Sequence, residues 1–95
     1  NAGKISLVPA SHKVLADGQE IVLTHKEYEL LHFFMVNPGQ IFSRDQLLNR
    51  IWGYDFEGTS RTVDTHIKTL RRKLGEEGRH IVTLIRSGYK FEVTV

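Results

Sequence analysis

Arg61, Thr65, Lys68, Thr69 and Arg72 recur at helical spacing, and at about 100° per residue they share one side of a helix. Guanidinium and ammonium groups neutralise phosphates, and short hydroxyl side chains reach base edges or pack a methyl on thymine. That side therefore has the chemistry to meet a polyanion. The opposite side of the same stretch carries Val63, Ile67, Leu70 and Leu74, the spacing of a helix docked on a core. A solvated charged face would show the same split, so the stretch from Arg61 to Leu74 does not decide between the two by itself.

The elements around it must hold such a helix in place. From Lys4 to Thr24 the chain reads as short β-type runs, Ile5 to Val8, Lys13 to Leu15 and Glu20 to Leu23, punctuated by Pro9 and the tight-turn pair Asp17-Gly18. A small antiparallel sheet is expected. Thr24 with Glu27 is a capping-box signal for a helix from Lys26 to Val36, apolar around most of its circumference and ended by Asn37-Pro38-Gly39. Ser43 with Gln46 repeats the signal for a second helix from Arg44 to Ile51 or Trp52, with Leu47, Leu48, Ile51 and Trp52 inward.

Gly53 stops that helix, residues 53–60 form a polar loop, and Thr59 or Ser60 caps the third helix. Gly75 and Gly78 bracket its end. Ile81 to Ile85 and Tyr89 to Val95 read as strands joined by the turn Arg86-Ser87-Gly88. Sheet, three helices and a basic-tipped hairpin describe an α+β winged helix-turn-helix, its third helix suited to the major groove and its hairpin beside it. The chain is read as one domain over residues 1–95, with the sheet in 1–23, the helices in 24–74 and the wing in 79–95.

Composition narrows the alternatives. Ninety-five residues suffice for a single core without staples. The absence of cysteine removes disulfides and fits a reducing cytoplasm. Apolar runs fall far below the roughly 20 residues of a membrane span. The chain begins with Asn1 and shows no charged and apolar leader, so a fragment without a secretory signal is expected. Net charge is only +2, but residues 1–43 carry three Lys/Arg against four Asp/Glu and residues 44–95 carry ten against seven. Five of the ten lie between Arg61 and Lys73, against the single acid Asp64. The positive field is concentrated on the third helix.

The five histidines, His12, His25, His32, His66 and His80, have no metal-ligand spacing and no cysteine beside them, so no metal and no other cofactor is expected. No nucleophile with base and orienting group stands out, and Asp45, Asp55, Glu57 and Asp64 scatter over helix and loop positions. An enzyme is not expected. A protein-interaction module on the same fold stays open beside DNA binding.

Several motifs occur in order with matching gaps. They are Leu30 to Met35, Ser43 to Gly53, Arg61 to Ile67, Leu70 to Leu74 and Gly88-Tyr89-Lys90-Phe91. In these the chain resembles, over nearly its whole length, the effector domain of OmpR/PhoB-family response regulators, with phosphate-regulon members nearest in pattern. The resemblance implies a four-stranded N-terminal sheet, a three-helix core and a C-terminal wing. It also implies a separate N-terminal receiver domain, absent from this chain, homodimers on direct-repeat double-stranded DNA, and a cytoplasmic transcription factor. The loop 53–60, with Tyr54, Asp55, Phe56 and Glu57, would contact RNA polymerase.

Carried over by position, Arg44, Trp52, Arg61, Thr62, His66, Lys68, Arg71 and Tyr89 would lie at the DNA backbone. Thr65, Lys68, Thr69 and Arg72 would face the major-groove floor, and Arg86 would enter the minor groove near 86–88. Two departures stand out. Thr69 occupies a place where members often set a guanine-reading Arg. Thr83 to Tyr89 replaces the usual Thr-x-Arg-Gly-x-Gly-Tyr, with the Arg displaced by one and the first glycine lost. Simpler readings remain for Trp52 as a core anchor, for His66 as a flank residue, for Tyr89 as half core, and for Tyr54 and Phe56 as cover for the loop's underside.

Overall fold

The computed structural model describes residues 2–53, 56 and 58–93. Strands β1 (Ile5–Val8), β2 (Lys13–Ala16) and β3 (Gln19–Ile21) form an antiparallel sheet in that order. Asp17 and Gly18 close the β2–β3 hairpin with φ of 52° and 79°, the left-handed pair that a two-residue turn of the right twist requires. Alternation along the strands turns Ile5, Val14 and Ala16 into the core.

The sheet has three strands rather than the four implied by the resemblance. Gly3, at φ 57°, folds Ala2 back to exchange hydrogen bonds with Ile5, so the described chain ahead of β1 is a tight turn. β3 is also shorter than expected, because its ladder ends at the Val14–Ile21 pair and Val22 is 82% exposed.

Helix α1 (His25–Val36) starts at the expected capping box. The Thr24 hydroxyl accepts from the Glu27 N–H at 3.2 Å and the Glu27 carboxylate accepts from the Thr24 N–H at 2.9 Å. Tyr28, Leu30, Leu31 and Phe34 are buried. Ser43 and Gln46 make the same reciprocal pair at 3.1 and 2.8 Å and open α2 (Arg44–Leu47). The expected continuation to Trp52 is not α-helical. Leu48–Trp52 widens into a π turn, closed by the Gly53 N–H on the Leu48 and Asn49 carbonyls. The Lys26 ammonium caps the Ile51 carbonyl at 2.8 Å, fastening this turn to α1.

Helix α3 (Arg61–Leu74) buries Val63, Ile67, Leu70 and Leu74, the four positions its periodicity selects. Ser60 stands at the N-cap without a side-chain cap bond; the Thr59 hydroxyl accepts from the Arg61 N–H instead, at 3.3 Å. After Gly75 the chain makes a 3-10 turn, Gly75–His80, before the wing of β4 (Ile81–Leu84) and β5 (Gly88–Phe91). Both wing strands are shorter than expected, leaving Ile85 in the turn at 85% exposure and Val93 beyond the ladder. The wing is tied to the chain before α2 by paired backbone bonds between Phe42 and Tyr89, 2.9 Å each. Gly88 makes this approach possible, since a Cβ there would lie 2.0 Å from the Phe42 carbonyl oxygen. Leu30, Phe34, Leu47, Leu70 and Phe91 fill the centre. Among the described residues no helix is long and apolar enough to cross a membrane.

Candidate nucleic-acid interface

With its apolar arc sunk in the core, α3 presents Arg61, Thr65, Lys68 and Arg72 to solvent and Thr69 at its margin. Arg61, Lys68 and Arg72 fall within a narrow arc at about 100° per residue. The Thr65 hydroxyl is turned back onto the Arg61 carbonyl at 3.1 Å, so its donor is spent within the helix and its methyl and oxygen lone pairs remain.

The charges on this face differ from those elsewhere. Of the 13 Lys and Arg side chains, nine have a partner in the fold. Lys4, Lys13, Arg79 and Lys90 pair with Asp17, Glu20, Glu77 and Glu92. Lys26 meets Glu29 and the Ile51 carbonyl, Arg50 lies over the Phe33 ring, and Lys73 pairs with Glu27 at 2.7 Å. Arg44 and Arg71 complete the nine.

The remaining four, Arg61, Lys68, Arg72 and Arg86, make no hydrogen bond or ion pair with the described residues. Three are on the outer arc of α3. Arg86 is in the wing turn, lining with Ser60 and Asp64 a cleft of about 380 Å³ between wing and helix. A cation beside a carboxylate contributes a short-range dipole, whereas one without a carboxylate contributes a full charge to the outer field; Arg50 and Arg71, bonded to a ring, a carbonyl and a hydroxyl, keep their charge but not their freedom to reach a ligand.

Three residues expected at phosphates are bonded within the protein. Arg44 gives a two-pronged bond to Asp64, 3.1 Å from Nε and 2.6 Å from Nη2. The Tyr89 hydroxyl donates to the same carboxylate at 2.6 Å. Burial, reinforced by that bond, pushes the hydroxyl up to about 12, so it stays a donor at neutral pH. Arg71 donates to the Ile81 carbonyl at 3.0 and 2.6 Å and to the Thr83 hydroxyl at 2.6 Å, with its guanidinium 5.7 Å above the Tyr89 ring. Burial draws Arg71 below its ordinary value, with Tyr89 acting the other way. Both clamps lock α3 to the wing.

Asp64 had no sequence signal for this role, because its partners lie 20 and 25 residues away. The Gly75–His80 turn was missed as well, although its buried Glu77 accepts from the Lys4 N–H at 2.9 Å and pairs with His80.

Trp52 is half-buried, packed against the core and edge-on to His66 at 4.8 Å. Thr62 is half-buried, and its carbonyl lies 2.9 Å from His66 Nδ1. Phe56 is 40% exposed with its ring 6.2 Å from Trp52; Tyr54, Asp55 and Glu57 lie outside the described residues. The described residues include no cluster of three or more metal-ligating side chains.

An amphipathic third helix locked to a two-stranded hairpin, behind a capped second helix and a small sheet, defines a winged helix-turn-helix domain. Residues 18–91 match the family described as "Transcriptional regulatory protein, C terminal", and the chain belongs to it, as a DNA-binding effector domain of the OmpR/PhoB response-regulator type. The transcriptional regulatory protein ResD of Bacillus subtilis is 48% identical over 93 residues, covering 94% of this chain and 39% of ResD. The chain thus spans well under half of that relative.

Among solved structures, the Klebsiella pneumoniae RstA DNA-binding domain in complex with the RstA box superposes with TM-score 0.86 at 29% identity, covering 99% of this chain and 96% of that one. The response regulator DrrB, a Thermotoga maritima OmpR/PhoB homologue, superposes with TM-score 0.86 at 30% identity over 97% of this chain and 43% of its own.

Proposed function

We propose that this chain is the effector domain of a two-component transcription factor that docks α3 in the major groove and the 86–88 turn in the minor groove. The observation that carries this reading is where the four cations without a partner among the described residues lie: Arg61, Lys68 and Arg72 on the outer arc of α3, and Arg86 in the wing turn that shares a cleft with Ser60 and Asp64 at the start of that helix. Uncompensated cations release counterions when they meet phosphates, which is the sequence-independent part of DNA affinity. Arg61, Lys68, Thr62, Trp52 and His66 serve the backbone, and Thr65, Lys68, Thr69 and Arg72 face base edges. Arg86 enters the minor groove, where a narrow groove concentrates negative potential. Arg44 lies at the same edge, held by Asp64, while Arg71 and Tyr89 set the angle of the wing.

Selection of bound duplexes from a random oligonucleotide pool tests this. A motif repeated in the same orientation, about one helical turn apart, is expected from tandem binding by a homodimer. A pool without enrichment would refute sequence-specific binding, and an inverted repeat would refute the tandem arrangement.

The rest of the protein is proposed by the same logic. The RstA structure is of a DNA-binding domain in complex with the RstA box and DrrB is a response regulator, and this chain covers 39% of ResD. A receiver domain N-terminal to this chain, a cytoplasmic location and a role without catalysis fit that picture. Phe56, exposed beside Trp52, with Tyr54, Asp55 and Glu57 of the same loop, is the proposed RNA polymerase contact. Phe56→Ala should lower transcription from a target promoter while leaving DNA affinity unchanged; a fall in affinity would make the residue structural instead.

A further inference from the structure

We infer that His66 engages a DNA phosphate as the imidazolium, so that docking takes up a proton; the inference rests on the DNA-binding reading above. His66 lies half-buried in the first half of α3, its Nδ1 2.9 Å from the Thr62 carbonyl oxygen. A carbonyl oxygen only accepts, so the proton of the neutral ring sits on Nδ1 and Nε2 is bare. A phosphate oxygen also only accepts. The neutral ring therefore has no donor for a phosphate unless it gives up Thr62. Protonation adds an N–H at Nε2 while the bond to Thr62 is kept, and that donor is charge-assisted.

The surroundings leave this proton for the ligand to stabilise. From the π turn the neutral Trp52 ring meets the imidazole edge to face, with 4.8 Å between centroids. The shallow cleft that His66 lines is otherwise formed by Thr59 of the loop and by Arg61, Thr62 and Thr65 of α3. That lining supplies three hydroxyls and one cation, with no carboxylate among the described residues. Asp64, two residues away, is occupied by Arg44 and Tyr89. A bound phosphate favours the imidazolium. The complex then holds more of this proton than the free protein does. Affinity is highest at the acid end and falls as pH rises through the range where imidazoles titrate, about pH 6 to 7.

The test is an anisotropy titration of a short double-stranded oligonucleotide of mixed sequence, at low fixed ionic strength, from about pH 5.5 to 8. Backbone contacts do not depend on sequence, so no operator is required. Kd of the wild-type chain is expected to rise roughly three- to tenfold across that range, equivalent to a linked shift of up to one pH unit. His66→Gln offers an N–H donor at every pH, and its profile should be clearly flatter. Calorimetry of wild-type binding in two buffers of unlike ionisation enthalpy should register net proton uptake near pH 6.5, a readout independent of how the variant folds. Parallel pH profiles for the two proteins, or no proton uptake by the wild type, overturn the inference while leaving DNA binding intact. Absence of duplex binding at every pH overturns the DNA-binding reading and this inference together.

Discussion

The Tyr89 hydroxyl donates to the Asp64 carboxylate at 2.6 Å, so the wing strand is fastened to α3 by a hydrogen bond to a charged group. Such bonds contribute roughly 1.5–3 kcal/mol. Tyr89→Phe keeps the ring beneath Arg71 and removes only this bond. Urea unfolding should show a loss of about 1–3 kcal/mol with an unchanged slope; an unchanged midpoint would mean that Arg44 and solvent satisfy Asp64 equally well.

Asp64 also neutralises Arg44 through its two-pronged bond. Asp64→Asn keeps the side-chain shape and frees that guanidinium for the outer field. Folding stability should fall, while binding to mixed-sequence duplex becomes more salt-dependent by up to about one log unit per log unit of salt. An unaltered salt slope would place Arg44 out of reach of the phosphates.

Arg86 stands where the family pattern has its first glycine, and its φ of 67° is the left-handed conformation a glycine there adopts freely. A non-glycine residue loses roughly 1–2 kcal/mol in that conformation, so Arg86→Gly should raise the unfolding midpoint. The same change removes one of the four cations without a partner among the described residues and should weaken duplex binding. Gains in both properties, or losses in both, would contradict the role given to Arg86.

Two buried carboxylates tie the scaffold together, and both lie below the ordinary range. Burial alone would raise Glu27, but the Lys73 ammonium at 2.7 Å and the capping bonds at Thr24 outweigh it. The bond from the Lys4 N–H holds Glu77 down against the opposing effect of burial, with help from His80 and Arg79. Since each titrates lower in the folded chain than in the unfolded one, its contribution is present above about pH 4.3. It is lost as pH falls through the folded values. Glu27→Gln should be less stable at neutral pH and lose less on acidification, as followed by circular dichroism; an acid curve parallel to the wild type would remove Glu27 from the account.

Much of this was legible in the chain. Periodicity located the four buried residues of α3, and the Thr24–Glu27 and Ser43–Gln46 pairs located two helix starts, because each is a local signal within a few residues. Features set by distant partners were not legible. The Asp64 clamp depends on Arg44 and Tyr89, and Arg71 resembles its basic neighbours until β4 supplies a carbonyl and a hydroxyl. The π turn at Leu48–Trp52 and the 3-10 turn at Gly75–His80 depend on packing, including the Lys26 cap and the Glu77–His80 pair, that no short window of residues displays.

DNA binding through the cations without partners among the described residues is tested most directly by the slope of log Kd against log salt for a duplex oligonucleotide, measured on single alanine variants. Lys68→Ala should reduce the slope by about 0.9, one phosphate's worth, weakening cognate and mixed-sequence duplexes alike. Arg72→Ala should cost about 1–3 kcal/mol, and more on the cognate duplex if it reads a base. Lys13→Ala and Lys90→Ala, whose charges already face Glu20 and Glu92, should leave the slope unchanged. Equal effects from the two sets, or a wild-type affinity indifferent to salt, would contradict the claim that α3 and the wing turn are where this protein meets DNA.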